Sequence, residues 1–235
     1  MGDRVFVIRR VTKDWAEKVF EFHKTHITPY LWPRDLKFFR ELAHRESLVE
    51  IVAQIPSGEE MAGVCYITED PSESEDRIEF GGVFVVPEFR GLGLATVLGK
   101  VAIASLFIWD PPSSEIPVIA HVHEKNQEPR RVLEQLGFIK TGQEIPPEEI
   151  VPPGLERNEE GKVVGDLFVF RRAQLSEFAD WLENFQGLAE GKKGKVSLKI
   201  NVPFFTDYKS EAIEALRDLS RVRESVLQNP PDGEG

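Results

Sequence analysis

The stretch Val83–Trp109, VFVVPEFRGLGLATVLGKVAIASLFIW, decides how this chain is read. An apolar strand runs into Pro87, a short segment with one arginine and two glycines follows, and a long apolar run completes it. The helix predicted by that run starts near Gly93 with no Ser, Thr, Asp or Asn to cap it, so its first N–H groups need acceptors from elsewhere. Gly91 and Gly93 let a bulky ligand approach the backbone, and Arg90 adds a fixed positive charge. Together they describe an anion site, most naturally for a diphosphate. Pro87 cannot donate to a ladder, so the strand is expected to part from its neighbour there and leave backbone groups free for a ligand with amides of its own. The helix from Leu94 to Ile108 is apolar almost all round, which places it in the interior against a sheet.

Other phosphate patterns fit this turn less well. GLGLATVLGKV ends in Gly-Lys-Val and lacks the hydroxyl that a Walker loop gives to Mg²⁺. The dinucleotide pattern needs a third glycine where Thr96 stands, and no acidic strand-end residue follows at the right remove. A plain strand-to-helix connection is the simpler alternative.

Working outward, Val5–Arg10 reads as a strand, Thr12–His26 as an amphipathic helix, and Leu36–His44 as a short helix after the aromatic segment ITPYLWPRD. SLVEIVAQI and MAGVCYITE read as strands around the turn PSGEE, and the acidic linker DPSESED leads to a strand at Ile78–Val86. PVIAHVH is a strand, and PRRVLEQLGF a helix with Pro129 early and Gly137 just past its end. GFIKTG and GDLFVFRR are two more strands, separated by a Pro/Glu-rich excursion over 143–165 that is expected to form a flap or an ordered extension. From Ala173 the pattern becomes helix (Leu175, Phe178, Leu182, Phe185, Ala189), one strand (KVSLKINV) and helix (Ser210–Leu227). This extension is too poor in apolar residues to stand alone and is expected to dock on the main domain or on a second subunit, the latter giving a homodimer. The division expected is a domain over 1–172, an extension over 173–228 and a disordered tail over 229–235.

Arg90-Gly91-Leu92-Gly93-Leu94-Ala95, preceded by VFVVPEF, resembles the acyl-CoA-binding motif A (Gln/Arg-x-x-Gly-x-Gly/Ala) of the GNAT (Gcn5-related N-acetyltransferase) superfamily. VIAHVHEKNQEPRRVLEQLGF resembles its motif B, and the order of elements from Val5 to Arg172 is similar to that of the family. The resemblance implies a mixed α/β fold of the α+β type, with a mostly antiparallel sheet, helices on both faces and here a C-terminal α–β–α extension. It implies that backbone groups around Phe84 and Val85 pair with the pantetheine arm of acetyl-CoA, as a strand would. The amides of Arg90, Gly91, Leu92, Gly93, Leu94, Ala95 and Thr96 would cradle the diphosphate, and Asn126 would lie near the thiol end. Asn126 also reads as an N-cap for the helix that follows. Many members carry a tyrosine four residues before the Gly-Phe pair, as general acid for the departing thiolate. This chain has Leu133 there, and its tyrosines are Tyr30, Tyr66 and Tyr208.

Acylating an amine requires its neutral form, and an alkylammonium has a pKa of roughly 10.4, so a base is needed. Glu79, on the strand that leads into motif A, is the candidate; the alternative is a solvated strand-end residue beside Asp76 and Arg77. A backbone N–H near Val85 would hold the thioester oxygen. Tyr30 and Trp32 fall where family members build the acceptor pocket, and their aromatic rings either embrace a cation or pack the loop down. His121 and His123 share a strand face without a Cys or carboxylate cluster to complete a metal site, so no metal is expected; His23 and His26 are read the same way. Cys65 reads as a buried small hydrophobe. Lys192, Lys193 and Lys195 read as a solvated, basic, hairpin-like turn.

Composition narrows the partners. The formal net charge of −11, from 29 Lys+Arg against 40 Asp+Glu, disfavours nucleic acid and favours a cationic acceptor. No uninterrupted apolar stretch reaches membrane-spanning length, the start lacks a signal-peptide core, and a single cysteine fits a reducing, cytoplasmic setting. The function expected is acetyl-CoA-dependent N-acetylation by direct attack of a small-molecule or protein amine. The alternatives are a non-catalytic acyl-CoA-binding regulatory module and a nucleotide-binding protein using the same turn.

Overall fold

The computed structural model describes residues 5–55, 58–69, 76–146 and 151–222. Of the expected linker at 70–76 all but Asp76 lies outside the described residues, as does the tail at 229–235. One sheet of nine strands organises the chain, in the order β6-β7-β5-β4-β3-β2-β1-β9-β8. The strands are β1 (Val5–Arg10), β2 (Leu48–Ile55), β3 (Gly58–Glu69), β4 (Ile78–Val85), β5 (Val118–His123), β6 (Phe138–Glu144), β7 (Gly165–Phe170), β8 (Leu188–Gly191) and β9 (Gly194–Asn201). All neighbours are antiparallel except β4 with β5 and β1 with β9. The mixed, mostly antiparallel fold read from the sequence is the one observed.

Helices cover both faces. α1 (Ala16–Thr25) and α2 (Leu36–His44) lie on one, around a core that includes Val19, Phe39, Leu42 and Tyr66. α2 begins where it does because the Asp35 carboxylate accepts the Phe38 N–H at 2.8 Å. The other face carries α3 (Leu94–Trp109), α4 (Glu128–Gln135), α5 (Leu175–Asn184) and α7 (Lys209–Leu219) over the larger core. α6 (Pro203–Thr206) is a single turn between β9 and α7. Among the described residues, no helix is long and apolar enough to cross a membrane.

α3 is apolar on all sides because it is covered on two. Its inner side meets β2, β3 and β4, and its outer side meets α5 and α7. Lys100, the one charge inside this helix, lies over the rings of Phe178 and Trp181 at 5.5 and 5.3 Å. The extension therefore holds two strands where the sequence pattern indicates one. Phe185 leaves the helix with an extended backbone and Gly187 adopts φ +74, so Ala189, which continues the helical spacing, sits in β8 instead. β9 then pairs with β1 in parallel, from Val5 opposite Ser197 to Arg9 opposite Asn201.

Phe178 is fully buried and packs against Phe170 at a tilt, with ring centroids 5.9 Å apart. Phe178→Ala should cost about 3–5 kcal/mol of stability, a cavity effect read by urea denaturation as a lower midpoint with an unchanged slope.

Candidate active site

β4 is paired with β5 at only two positions, Ile78 with Val118 and Glu79 with Ile119. Beyond them both strands continue, β4 to Val85 and β5 to His123, without pairing. A bulge helps to turn β4 away. Its register against β3 shifts between Val64 and Tyr66, Gly82 takes φ +60, and a Cβ on Gly82 would lie 2.2 Å from the Tyr66 ring. At the far end, the Val86 N–H donates to the Ala62 carbonyl at 3.0 Å. Strand alternation then turns the backbone groups of Phe84 toward β3 and those of Val83 and Val85 toward the gap. Phe84 gives its ring to Phe22 and His26, at 5.7 and 5.0 Å.

The strand ends at Val85, a 3-10 turn runs from Pro87 to Phe89, and α3 starts at Leu94 after Gly93, which adopts φ +80 with no side-chain cap. The N–H groups of Leu94, Ala95 and Thr96 find no acceptor among the described residues, and the first turn of the helix holds no acidic residue. Arg90 supports the strand end instead of standing free: its Nε donates to the Val85 carbonyl at 2.9 Å and a terminal nitrogen pairs with Glu128 on α4 at 2.9 Å. A gap with outward amide groups, leading to uncapped helix N–H groups, fits a long amide-bearing arm that ends in a diphosphate.

Glu79 stands where the two strands part, its side chain 12% exposed. One carboxylate oxygen meets Arg34 at 3.3 Å; the other lies 3.9 Å from Nδ1 of His121. His121 Nε2 bonds Glu144 at 2.7 Å, and Arg77 bonds the same Glu144 carboxylate at 2.6 Å. Burial alone would lower the His121 pKa, but its hydrogen bond to Glu144 and the nearby negative charge of Glu79 outweigh this and raise it from 6.5 to about 9. The hydrogen bond from His121, reinforced by Arg77, takes Glu144 from 4.5 down to about 2. The Tyr66 hydroxyl accepts from Arg34 Nε at 3.3 Å, and burial raises its pKa, so the phenol keeps its proton.

The excursion after β6 folds back over this cluster. The Glu156 N–H donates to the Pro29 carbonyl at 2.9 Å, which joins the excursion to the α1–α2 connection. His123 lies beneath. Its Nδ1 accepts from the Lys125 N–H and its Nε2–H donates to the Glu156 carbonyl at 2.6 Å, and its ring lies 5.2 Å from that of Tyr30. Tyr30 is exposed and Trp32 half-buried. Asn126 stands one residue before the N-cap of α4, with its N–H on the His123 carbonyl at 2.8 Å. Leu133 is the buried residue of α4, and Tyr208 is exposed at the start of α7. Cys65 is buried and burial pushes its thiol pKa up. His23 and His26 do not converge: His23 packs on Phe39, and His26 bonds the Phe22 carbonyl. Among the described residues no group of three His, Cys, Asp or Glu side chains is placed to hold a metal.

Two features escape sequence reasoning. The His121–Glu144–Arg77 cluster joins residues from β5, β6 and the segment before β4, and no local pattern marks it. The lysine turn between β8 and β9 is the exposed hairpin that its sequence indicates, but its backbone also rests against motif A, which the sequence does not mark. The Lys193 N–H donates to the Gly91 carbonyl at 2.9 Å, and a Cβ on Gly93 would fall 2.3 Å from the Glu190 carbonyl oxygen. These glycines thus admit the chain's own backbone as well as any ligand.

The chain belongs to the acetyltransferase (GNAT) family, whose profile matches residues 12–138, more than half of its length. It is accordingly an acyltransferase, with acetyl-CoA as the acyl donor. No curated protein matches the sequence. Among solved structures, the chain is similar to the NatC complex bound to Gag peptide and CoA, at 14% identity and a TM-score of 0.52, over 69% of this chain and 96% of that one. It is also similar to Arabidopsis thaliana NAA60 in complex with a bisubstrate analogue, at 17% identity and a TM-score of 0.49, over 70% and 97%. A third is a spermidine N-acetyltransferase SpeG chimera from Vibrio cholerae and hSSAT, at 17% identity and a TM-score of 0.47, over 74% and 97%.

The paired His121 should titrate near pH 9 by NMR, and Glu144→Gln should return its midpoint toward the ordinary imidazole range. Because the folded pKa is raised, the stability due to this cation is complete below about pH 6.5 and is lost as pH rises through about 9. An unchanged midpoint in the variant would refute the pairing.

Proposed function

We propose that this enzyme acetylates an amine by direct attack on the thioester of acetyl-CoA, with Glu79 as the base. The observation that carries the proposal is the place of the Glu79 carboxylate, little exposed and set where β4 and β5 part. Arg34 holds one oxygen. The other lies 3.9 Å from His121, beyond direct hydrogen-bond distance, and is the one open to accept a proton from the incoming ammonium, directly or through a water.

Acetyl-CoA supplies a carbonyl carbon that an amine attacks. The Val85 N–H, turned to the gap, donates to the oxygen on which charge develops. With Leu133 in the place of the family's tyrosine, the Tyr66 hydroxyl, protonated and packed beneath Gly81 and Gly82, is the proton donor for the departing sulfur. Arg90 to Thr96 take the diphosphate, Asn126 lies toward the thiol end, and Tyr30 and Trp32 flank the acceptor's entry. The acceptor is the amine of a small molecule or a protein, and a net charge of −11 favours a cationic one. The single, buried cysteine fits a reducing compartment such as the cytoplasm.

Leu133 favours a second reading, a regulatory module that binds acyl-CoA without turning it over. The two part on amine-dependent release of free thiol from acetyl-CoA, measured with a panel of peptide N-termini and polyamines. Release is expected with at least one amine, and Glu79→Gln should lower kcat about 100-fold or more while acetyl-CoA still binds. Binding without release from any amine would favour the regulatory module. No binding at all would contradict both.

A further inference from the structure

The turn between β8 and β9 is the most basic short segment of an acidic chain, and the fold holds it at one place. Its backbone is clamped by the Lys193 N–H on the Gly91 carbonyl, at 2.9 Å. The approach is close enough that a Cβ on Gly191 would lie 2.4 Å from the Gly91 carbonyl oxygen and 2.5 Å from the Gly93 nitrogen. The pairing of β8 with β9, and of β9 with β1, anchors the turn from behind. Lys195 is paired with Glu190 at 3.0 Å, whereas Lys192 and Lys193 are exposed and have no carboxylate partner among the described residues. The first turn of α3 beside them lacks acidic side chains and presents N–H groups without acceptors among the described residues. Two ammonium groups next to the positive end of a helix repel it and one another, and a polyanion bound between them relieves both.

We propose that Lys192 and Lys193 bind the phosphate groups at the nucleotide end of acetyl-CoA, so that the extension completes the donor site from outside residues 12–138, which the family profile matches. The ligand class is a phosphorylated adenosine diphosphate ester, and the inference rests on the acetyl-CoA reading above. In that arrangement the backbone of motif A fixes the position of the diphosphate, and the two lysines supply the charge that Arg90, engaged by Val85 and Glu128, does not.

The test is calorimetric titration of the full chain with acetyl-CoA at several salt concentrations, comparing the native protein with Lys192→Ala/Lys193→Ala and Lys192→Arg/Lys193→Arg. The alanine pair should weaken binding at least about fivefold and flatten its salt dependence, and the arginine pair should restore both. Both variants should keep the native unfolding midpoint, since the side chains are exposed. Weakening of less than about fivefold, tighter binding, or equal weakening in the arginine pair would overturn the proposal, because the turn would then be inert, a cover over the loop, or a structural support. No binding by the native protein would overturn the acetyl-CoA reading itself, whereas native binding that the alanine pair leaves unchanged overturns only the role of the turn.

Discussion

The parting of β4 from β5 after two paired residues is the constraint on which the rest of this molecule depends. It comes from covalent and steric causes spread along one strand. The bulge at Gly81–Gly82 is shaped around the Tyr66 ring, and Pro87 ends the strand. Arg90 reaches back to the Val85 carbonyl and holds the final turn in place. Each strand edge left unpaired carries backbone donors and acceptors that must be satisfied, and the gap offers those groups to a partner. The same geometry sets Glu79 at the inner end of the gap and the uncapped start of α3 at the outer end.

The C-terminal extension answers three needs with one excursion of the chain. α5 and α7 cover the outer face of α3, which would otherwise expose apolar surface. β9 converts β1 from an edge strand into an interior one. The β8–β9 turn is carried to the loop between β4 and α3, where the glycines allow backbone to meet backbone. The glycines of motif A are therefore set by the hairpin that lies against them, whatever else they admit.

Much of the fold was legible because its signals are local. The continuous apolar run of α3 and Gly137, at φ +90 after α4, each set a boundary from a few neighbouring residues. The first seven strands could be read from apolar runs between turn residues. The eighth could not, because Ala189 keeps the helical spacing of α5 and only the backbone at Phe185 and Gly187 breaks it. The parallel pairing of β9 with β1 joins residues nearly the whole chain apart, and no pattern within either strand selects that partner. At the site, Glu79 and motif A stand out in sequence. The charges that surround Glu79 do not, because Arg34 and His121 reach it from separate elements and Glu144 reaches His121 from a third.

Whether the gap beside β4 and the start of α3 together receive acetyl-CoA is read by backbone amide hydrogen exchange of the full chain with and without saturating acetyl-CoA, resolved by peptide. Exchange should slow in peptides covering Val83 to Thr96, at the Val83 and Val85 amides that face the gap and at those opening α3. Protection confined to other segments, with these amides exchanging as fast as in the free protein, would contradict that binding.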